Sequence, residues 1–225
     1  MPKFGLIGYP IGHSQSPSLF KEWCDGKWPY DLVETEDFDK AWEIFLKEYD
    51  AINITAPFKE KAFLRCDSAS RECRILGAAN IAVKTQEGVV AYNSDYLAVK
   101  EIIREKKLSG VALIVGYGGA GKAAALAASD AGLDVVVCNR TVSKGEGIRP
   151  LEEIPVLVPV ADIVIYTLPL MIPEMEGLEM NCVLEANYRN PSLSKLKINN
   201  YIAGLEWLKR QAVAGYPLLT STLTK

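Results

Sequence analysis

Histidine is almost missing from this chain: His13 is the single one in 225 residues. That argues against a histidine-rich metal centre and against a Ser-His-Asp hydrolase, so no metal site is expected. Paired cysteine is missing too. Cys24, Cys66, Cys73, Cys138 and Cys182 are scattered, odd in number and without CxxC spacing. They read as reduced thiols rather than a disulfide frame or zinc site. An excess of basic charge is absent: 25 Lys and Arg against 28 Asp and Glu give a net charge of −3 and a pI of about 5.4. There is thus no electrostatic footprint for nucleic acid or an anionic membrane. No apolar run approaches the roughly 20 residues of a membrane helix, and there is no internal repeat or low-complexity tract. Met1-Pro2-Lys3-Phe4 enters a strand-like run directly, with no signal-peptide pattern. The expectation is a cytoplasmic protein with a small-molecule substrate and neither nucleic-acid nor membrane partners. A homodimer is a candidate assembly.

What is present is an ordinary globular balance, 49% hydrophobic and 24% charged, arranged in alternation. Lys3–Ile7 reads as a strand, Leu19–Cys24 as a short helix and Tyr30–Val33 as a strand. Phe38, Ala41, Trp42, Phe45 and Leu46 fall at helical spacing, with Asp37 placed to cap them. Ala51–Ile54 reads as a strand, Phe58–Arg65 and Ser70–Leu76 as helices. Asn80–Lys84 and Val89–Tyr92 suit a hairpin over Gln86-Glu87-Gly88. Tyr96, Val99, Ile102 and Ile103 mark a helix to Lys107, and Leu108-Ser109-Gly110 reads as a joint. A second alternation follows: strand Val111–Val115, helix Gly119–Ala131, strand Asp134–Cys138, then strands over Asp162–Thr167 and Cys182–Ala186 and a late helix over Leu205–Val213. Such a βαβ pattern implies mainly parallel sheets with helices on both faces. The expected fold class is α/β, two-lobed with a cleft between the lobes. One lobe is residues 1–106 plus a C-terminal helix within 203–225; the other is 107–202.

Gly116-Tyr117-Gly118-Gly119-Ala120-Gly121 matches GxGxxG between a strand and a helix of small residues. In that context Gly116 permits the tight turn, Gly118 admits a pyrophosphate to the backbone, and Gly121 lets the helix pack on the sheet. The helix start offers free N–H groups to phosphates. At the end of the second strand an NAD site usually carries Asp or Glu; this chain has Asn139-Arg140-Thr141, with Lys144 close behind. That set suits a 2′-phosphate, so NADP is the expected cofactor. The same glycines satisfy GxxxxGK through Lys122. Ala123 stands where a phosphate-hydrolysing loop needs Ser or Thr for Mg²⁺, so that reading is rejected.

The first lobe carries the remaining chemistry. Asn53-Ile54-Thr55-Ala56-Pro57-Phe58-Lys59 releases an amide, a hydroxyl and an ammonium at the end of a buried strand, where open α/β sheets bind ligands. Lys59 both donates a proton and titrates; taken alone it reads rather as a surface lysine. Ser14-Gln15-Ser16-Pro17 suits a carboxylate grip or a simple helix cap. Asn80 and Asp95 are polar groups at element ends, with turn and capping as their plainer readings.

Taken in order, these motifs resemble the shikimate dehydrogenase family, or its close quinate/shikimate dehydrogenase variant. The family's Ser-x-Ser-Pro, Asn-x-Thr-x-Pro-x-Lys, Gly-Ala-x-Asn and Asn-Thr-Asp patterns match Ser14 to Pro17, Asn53 to Lys59, Gly77 to Asn80 and Asn93-Ser94-Asp95. The resemblance is dense over the first two thirds and thin after it. It implies a substrate-binding first lobe and a Rossmann-type NADP-binding second lobe with a central parallel sheet, performing reversible reduction of 3-dehydroshikimate to shikimate. Lys59 and Asp95 are the implied catalytic pair. Ser14, Ser16, Asn53, Thr55, Lys59, Asn80, Asp95, Tyr188 and Gln211 are the implied substrate contacts. Gly116, Gly118, Gly119, Ala120, Gly121, Asn139, Arg140, Thr141, Lys144, Thr167 and Gly204 are the implied cofactor contacts. A looser NAD or NADP choice, and a divergent binding protein without turnover, remain as alternatives.

The chain also departs from the family pattern. Tyr96 replaces the usual Gly after Asp95 and is expected to place an aromatic near the cleft. Glu185 stands for the usual Asp, and Tyr166-Thr167-Leu168-Pro169 for Asn-Ala-Thr. The stretch from Lys144 to Asp162 leaves little room for a crossover helix, and Leu151–Ile154 is expected to give at most a turn.

Overall fold

The computed structural model describes residues 1–224, the side chains of Lys144 and Thr224 excepted. The chain forms two compact units, Met1–Ser94 with the segment from Gln211 onward, and Asp95–Arg210.

In the first unit, β1 (Phe4–Gly8), α1 (Ser16–Trp23), β2 (Tyr30–Glu34), α2 (Phe38–Glu48), β3 (Ala51–Ile54), α3 (Lys59–Arg65), β4 (Ser68–Ala69), α4 (Arg71–Leu76), β5 (Ile81–Thr85) and β6 (Gly88–Tyr92) follow one another. The sheet order is β2-β1-β3-β5-β6-β4. β1 pairs in parallel with β2 and β3. β5 is antiparallel to β3, with Asn53 opposite Ile81, so this sheet is mixed. The two-residue alternation of a strand explains how both faces are covered. Phe4, Ala51, Ile81 and Val83 pack with Phe20 of α1 and with Ala212, Tyr216 and Leu219. Ile7, Ile52, Ile54 and Ala82 point the other way, onto Phe38, Ala41, Trp42 and Phe45 of α2 and Ala62 of α3. Each large side chain taken out of water there contributes about 1.5–3 kcal/mol. Asp37 caps α2 as the sequence suggests, its Oδ1 accepting from the Lys40 N–H at 3.1 Å.

The second unit continues with α5 (Ser94–Glu105), β7 (Val111–Val115), α6 (Gly119–Asp130), β8 (Asp134–Cys138), α7 (Ile154–Leu157), β9 (Ile163–Tyr166), β10 (Glu179–Glu185), β11 (Lys197–Ile202) and α8 (Gly204–Leu219). The chain leaves the first unit after Ser94 and returns at Gln211, both times inside a helix. The sheet order is β11-β10-β9-β7-β8, and every pairing is parallel. Because β8 lies on one side of β7 and β9 on the other, strand order reverses at the end of β7, where doubly wound sheets bind ligands. One face packs Leu113, Val115, Val164 and Val183 against Ile154 and Val158. On α6 the small residues Ala123, Ala124, Ala127 and Ala128 form the buried stripe.

Three expectations need correction. Residues 151–160 form a helical run, 3₁₀ at Leu151–Glu153, α7, then 3₁₀ at Val158–Val160. Pro155 and Pro159 mask its periodicity, but Ile154 and Val158, one turn apart, anchor it in the core. The late helix runs six residues past Val213, because Tyr216 and Leu219 are apolar anchors for the first unit. Gly215 looks like a breaker, yet a Cβ there would sit 2.9 Å from Ile81 Cδ1, so the glycine admits close packing. Tyr96 does not line an opening: it is buried, and its hydroxyl donates to Asp130 Oδ2 at 2.8 Å while accepting from Lys100 Nζ at 3.0 Å. The aromatic ties α5 to the end of α6. Strands β4 and β11 were not expected; β4 has two residues, and Lys-Ile-Asn-Asn-Tyr-Ile in β11 carries no clean alternation.

Candidate functional site

Side chains from separate parts of the first unit form a hydrogen-bonded pair and a longer hydrogen-bonded chain. Ser14 and Ser16, in the turn entering α1, are linked hydroxyl to hydroxyl at 3.1 Å, and the Ser16 N–H donates to Ser14 Oγ at 3.2 Å. Tyr30 Oη donates to Asn53 Oδ1 at 2.8 Å, and Asn53 Nδ2 donates to the Asn80 carbonyl at 3.4 Å. Asn80 is buried; its Nδ2 donates to Ser94 Oγ at 3.1 Å, and its Oδ1 accepts from the Ser94 N–H at 2.8 Å. Ser94 Oγ then donates to Gln211 Oε1 at 3.0 Å. Asn53, Asn80 and Gln211, three of the expected substrate contacts, thus belong to a single network, and Ser14 and Ser16 form a separate hydrogen-bonded pair. Tyr30 and Ser94 complete it and were not expected as site residues. A tyrosine opening a strand carries no distinguishing signal in sequence, whereas Ser94 lies inside the Asn93-Ser94-Asp95 motif, where the family pattern has Thr.

Burial pushes the Tyr30 phenol well above its usual pKa, with the nearby Tyr216 adding to the shift and Ser16 opposing it. Tyr30 therefore stays protonated near neutrality and serves as a donor toward Asn53. That donation fixes the Asn53 amide with nitrogen toward Asn80.

Lys59 is the first residue of α3 and is half-buried; its carbonyl accepts from the Ala79 N–H at 3.0 Å. The backbone of Thr55 is held by Ile7 and Phe58, while a Cβ on Gly8 would meet its Cγ2. Glycine at the end of β1 therefore leaves room for the Thr55 side chain. Asp95 is the second residue of α5 and belongs to the second unit, as does Tyr188, which is half-buried in the loop after β10.

In the second unit the glycine turn is shaped by contacts that side chains would obstruct. Gly116 has φ of +95°, and a Cβ there would lie 2.6 Å from Thr167 Oγ1 and 2.8 Å from Leu168 Cδ2. A Cβ on Gly121 would overlap the Gly116 carbonyl oxygen. Gly118 is different: it is exposed, and no atom lies within 4 Å of where its Cβ would be. Together with exposed Gly119 and half-buried Ala120 it leaves the start of the 12-residue α6 open to an anion. Thr167 Oγ1 donates to the Val115 carbonyl at 3.0 Å and approaches that of Gly116 at 3.3 Å, so this hydroxyl holds the turn from behind. Asn139 is buried and does the same from β8: its Oδ1 accepts from the Tyr117 N–H at 3.2 Å, and its Nδ2 donates to the Thr141 carbonyl at 3.0 Å. Arg140 and Thr141 stand exposed beside it. The side chain of Lys144 lies outside the described residues.

With this geometry established, the chain can be set beside known proteins. It is 33% identical over 218 residues to the shikimate dehydrogenase (NADP⁺) of Caldicellulosiruptor saccharolyticus, a match covering 91% of this chain and 76% of that protein. The chain belongs to the shikimate dehydrogenase family. A family model described as the shikimate dehydrogenase substrate binding domain matches residues 6–82, all within the first unit. The shikimate dehydrogenase (NADP⁺) of Acidiphilium cryptum is 36% identical over 146 residues, 61% of this chain and 53% of that protein. The chain thus spans about half the length of several family members it matches. Over the whole fold, the crystal structure of Thermus thermophilus shikimate 5-dehydrogenase in complex with shikimate superposes with a TM-score of 0.84 at 26% identity, covering 98% of this chain and 93% of that one. A second structure of that enzyme, in complex with NADP(H) and shikimate, gives a TM-score of 0.82.

The family's usual Asp before the late Tyr is Glu185 here, and the structure gives the longer carboxylate a use. Glu185 is fully buried at the end of β10. Its Oε1 accepts from the Ser192 N–H at 2.6 Å and its Oε2 from Tyr201 Oη at 2.6 Å, while the Leu193 N–H approaches both oxygens. Asn187 ties the same loop to its neighbour, donating through Nδ2 to the Pro169 carbonyl at 2.8 Å and to the Asn190 carbonyl at 2.9 Å. Tyr188 sits within this braced loop. Gly204 is needed beside it: a Cβ there would be 2.7 Å from the carbonyl oxygens of both Glu185 and Ala186.

Proposed function

We propose that this chain is an NADP-dependent dehydrogenase that interconverts 3-dehydroshikimate and shikimate. The observation that carries the reading is the network in the first unit, which links Asn53, Asn80 and Gln211, three of the substrate contacts implied by the motifs, and orients their amides, beside the hydrogen-bonded pair of Ser14 and Ser16. Ser14 and Ser16 offer hydroxyls for a carboxylate. Asn53, Thr55 and Gln211 offer polar groups for ring hydroxyls, whose burial without partners costs about 1–3 kcal/mol each. Asn80 holds Ser94 with most of its amide and has one N–H left over. Tyr188 is assigned as a further contact.

NADP fits the second unit on this structure's own terms: an open glycine at the start of α6, a turn braced by Thr167 and Asn139, and exposed Arg140 and Thr141 for the 2′-phosphate. When bound, NADPH supplies the hydride. Lys59 delivers the proton to the carbonyl oxygen as it becomes a hydroxyl and withdraws it in the reverse direction. Asp95 is the carboxylate assigned to work with it. The deciding assay follows NADPH formation from NADP⁺ and shikimate by the purified protein. Turnover is the expected result. No turnover, with shikimate still protecting the protein against thermal unfolding, would replace the enzyme with a binding protein. A homodimer in the cytoplasm is proposed on the same footing, with sedimentation and fractionation as the tests; no helix among the described residues is long and apolar enough to cross a membrane.

A further inference from the structure

We infer that Tyr30 is a positioning residue that sets the orientation of the Asn53 amide, a proposed substrate contact. This rests on the proposed substrate site and deepens it. Tyr30 is the first residue of β2, the edge strand, and none of the motifs includes it. Its ring is fixed by Phe20, with centroids 4.9 Å apart. Its hydroxyl donates to Asn53 Oδ1 at 2.8 Å.

The consequence follows from hydrogen-bond inventory. A carboxamide has one accepting and one donating end of nearly equal size, so packing alone does not choose between its two orientations. The protonated phenol donates to the amide on one side, and on the other side the Asn80 carbonyl can only accept. Oxygen therefore turns toward Tyr30 and nitrogen toward Asn80, where it meets a carbonyl at 3.4 Å. The ring-hydroxyl grip is thus arranged in advance, and preorganisation of this kind lowers the ordering cost of binding.

Tyr30→Phe removes the oxygen and keeps the ring. The expected result is a KM for shikimate raised about tenfold, with kcat within about threefold and the KM for NADP⁺ unchanged. A general loss of structure would move all three together. In combination with Asn53→Ala, Tyr30→Phe should do less than it does alone, because part of its effect passes through Asn53. Unchanged KM for shikimate, or a full multiplicative effect in the double variant, would overturn the inference. A readout independent of substrate is the Asn53 side-chain amide in ¹⁵N-labelled, ligand-free protein: one sharp pair of signals in the wild type, shifted or doubled in Tyr30→Phe. If that variant does not fold, a doubled Asn53 amide in the wild type would still refute the fixed orientation. A wild type inactive toward shikimate would defeat the proposed function and leave the amide measurement to decide Tyr30.

Discussion

Two glycines three residues apart in one turn are predicted to fail in opposite ways. At Gly121 an added methyl would overlap the Gly116 carbonyl oxygen, lie 2.9 Å from its carbonyl carbon and lie 3.1 Å from Thr167 Oγ1. Ordinary carbon contacts begin near 3.5 Å. The obstacle is backbone, held in place by the Thr167 hydroxyl and by the Gly116 N–H bond to the Cys138 carbonyl at 2.8 Å. Relief means moving α6 off β7, an overpacking cost of about 1–3 kcal/mol, which for a protein of this size lowers Tm by roughly 2–12 °C. At Gly118 the backbone has φ of −83° and ψ of −167°, which alanine adopts without strain, and nothing lies within 4 Å. There the weaker helix cap that Ala provides costs a few tenths of a kcal/mol, and the loss of unfolded-state freedom returns about as much. Gly118→Ala should therefore unfold within about 2 °C of the wild type. It should still bind NADP⁺ at least tenfold more weakly, because its methyl occupies the approach to the α6 N-terminus. Thermal unfolding without nucleotide, followed by calorimetric titration with NADP⁺, separates the two effects. A Gly121→Ala protein as stable as the wild type, or a Gly118→Ala protein that loses stability but binds normally, would refute the account of the turn.

Lys59→Ala should lower turnover by about a hundredfold, the order expected for losing a general acid/base, with substrate binding measured separately; near-normal turnover would remove Lys59 from the proposed chemistry. Arg140→Ala should weaken NADP⁺ binding much more than NAD⁺ binding, and equal losses in a titration of both would refute the 2′-phosphate role. Alkali should destabilise the fold through its tyrosines. Seven of the ten are held above their ordinary pKa, Tyr9 chiefly by its hydrogen bond to Glu36 and the other six chiefly by burial, among them Tyr30, Tyr216 and Tyr166, the last at about 12. A folded value above the unfolded one means that this stabilisation is complete below the unfolded pKa near 10 and is lost as pH rises through the folded values. Circular dichroism should therefore fall together with a late, cooperative rise in tyrosinate absorbance. Ten groups titrating near pH 10 in a protein that keeps its native spectrum would contradict it.

The glycine turn and the capped α2 were legible because each depends on neighbours in sequence: a strand and helix flanking six residues, and a carboxylate three positions ahead of the N–H it caps. The helical run at 151–160 and the extension of α8 were not. Their prolines and glycine break the local pattern, and only contacts from elsewhere, on Ile154 and Val158 in one case and Tyr216 and Leu219 in the other, hold them helical. The same division separates the two tyrosines. Tyr96 stood out as a departure from the family pattern, and only the structure shows its hydroxyl committed to Asp130. Tyr30 drew no notice, and only the structure brings its hydroxyl to Asn53.

By itself, then, the sequence determined the two-part α/β alternation, the phosphate-type turn and the family motifs, since these are carried by local spacing and residue type. Tertiary structure alone decided which motif residues would face a ligand and which would brace the backbone. Thr167 and Asn139, expected at the cofactor, hold the turn, while Tyr30 and Ser94 join a network assembled from residues 30 to 211. The physical reason is that a polar side chain bonds whatever donor or acceptor the fold brings within about 3 Å, and partners as distant in sequence as Ser94 and Gln211 are set by packing.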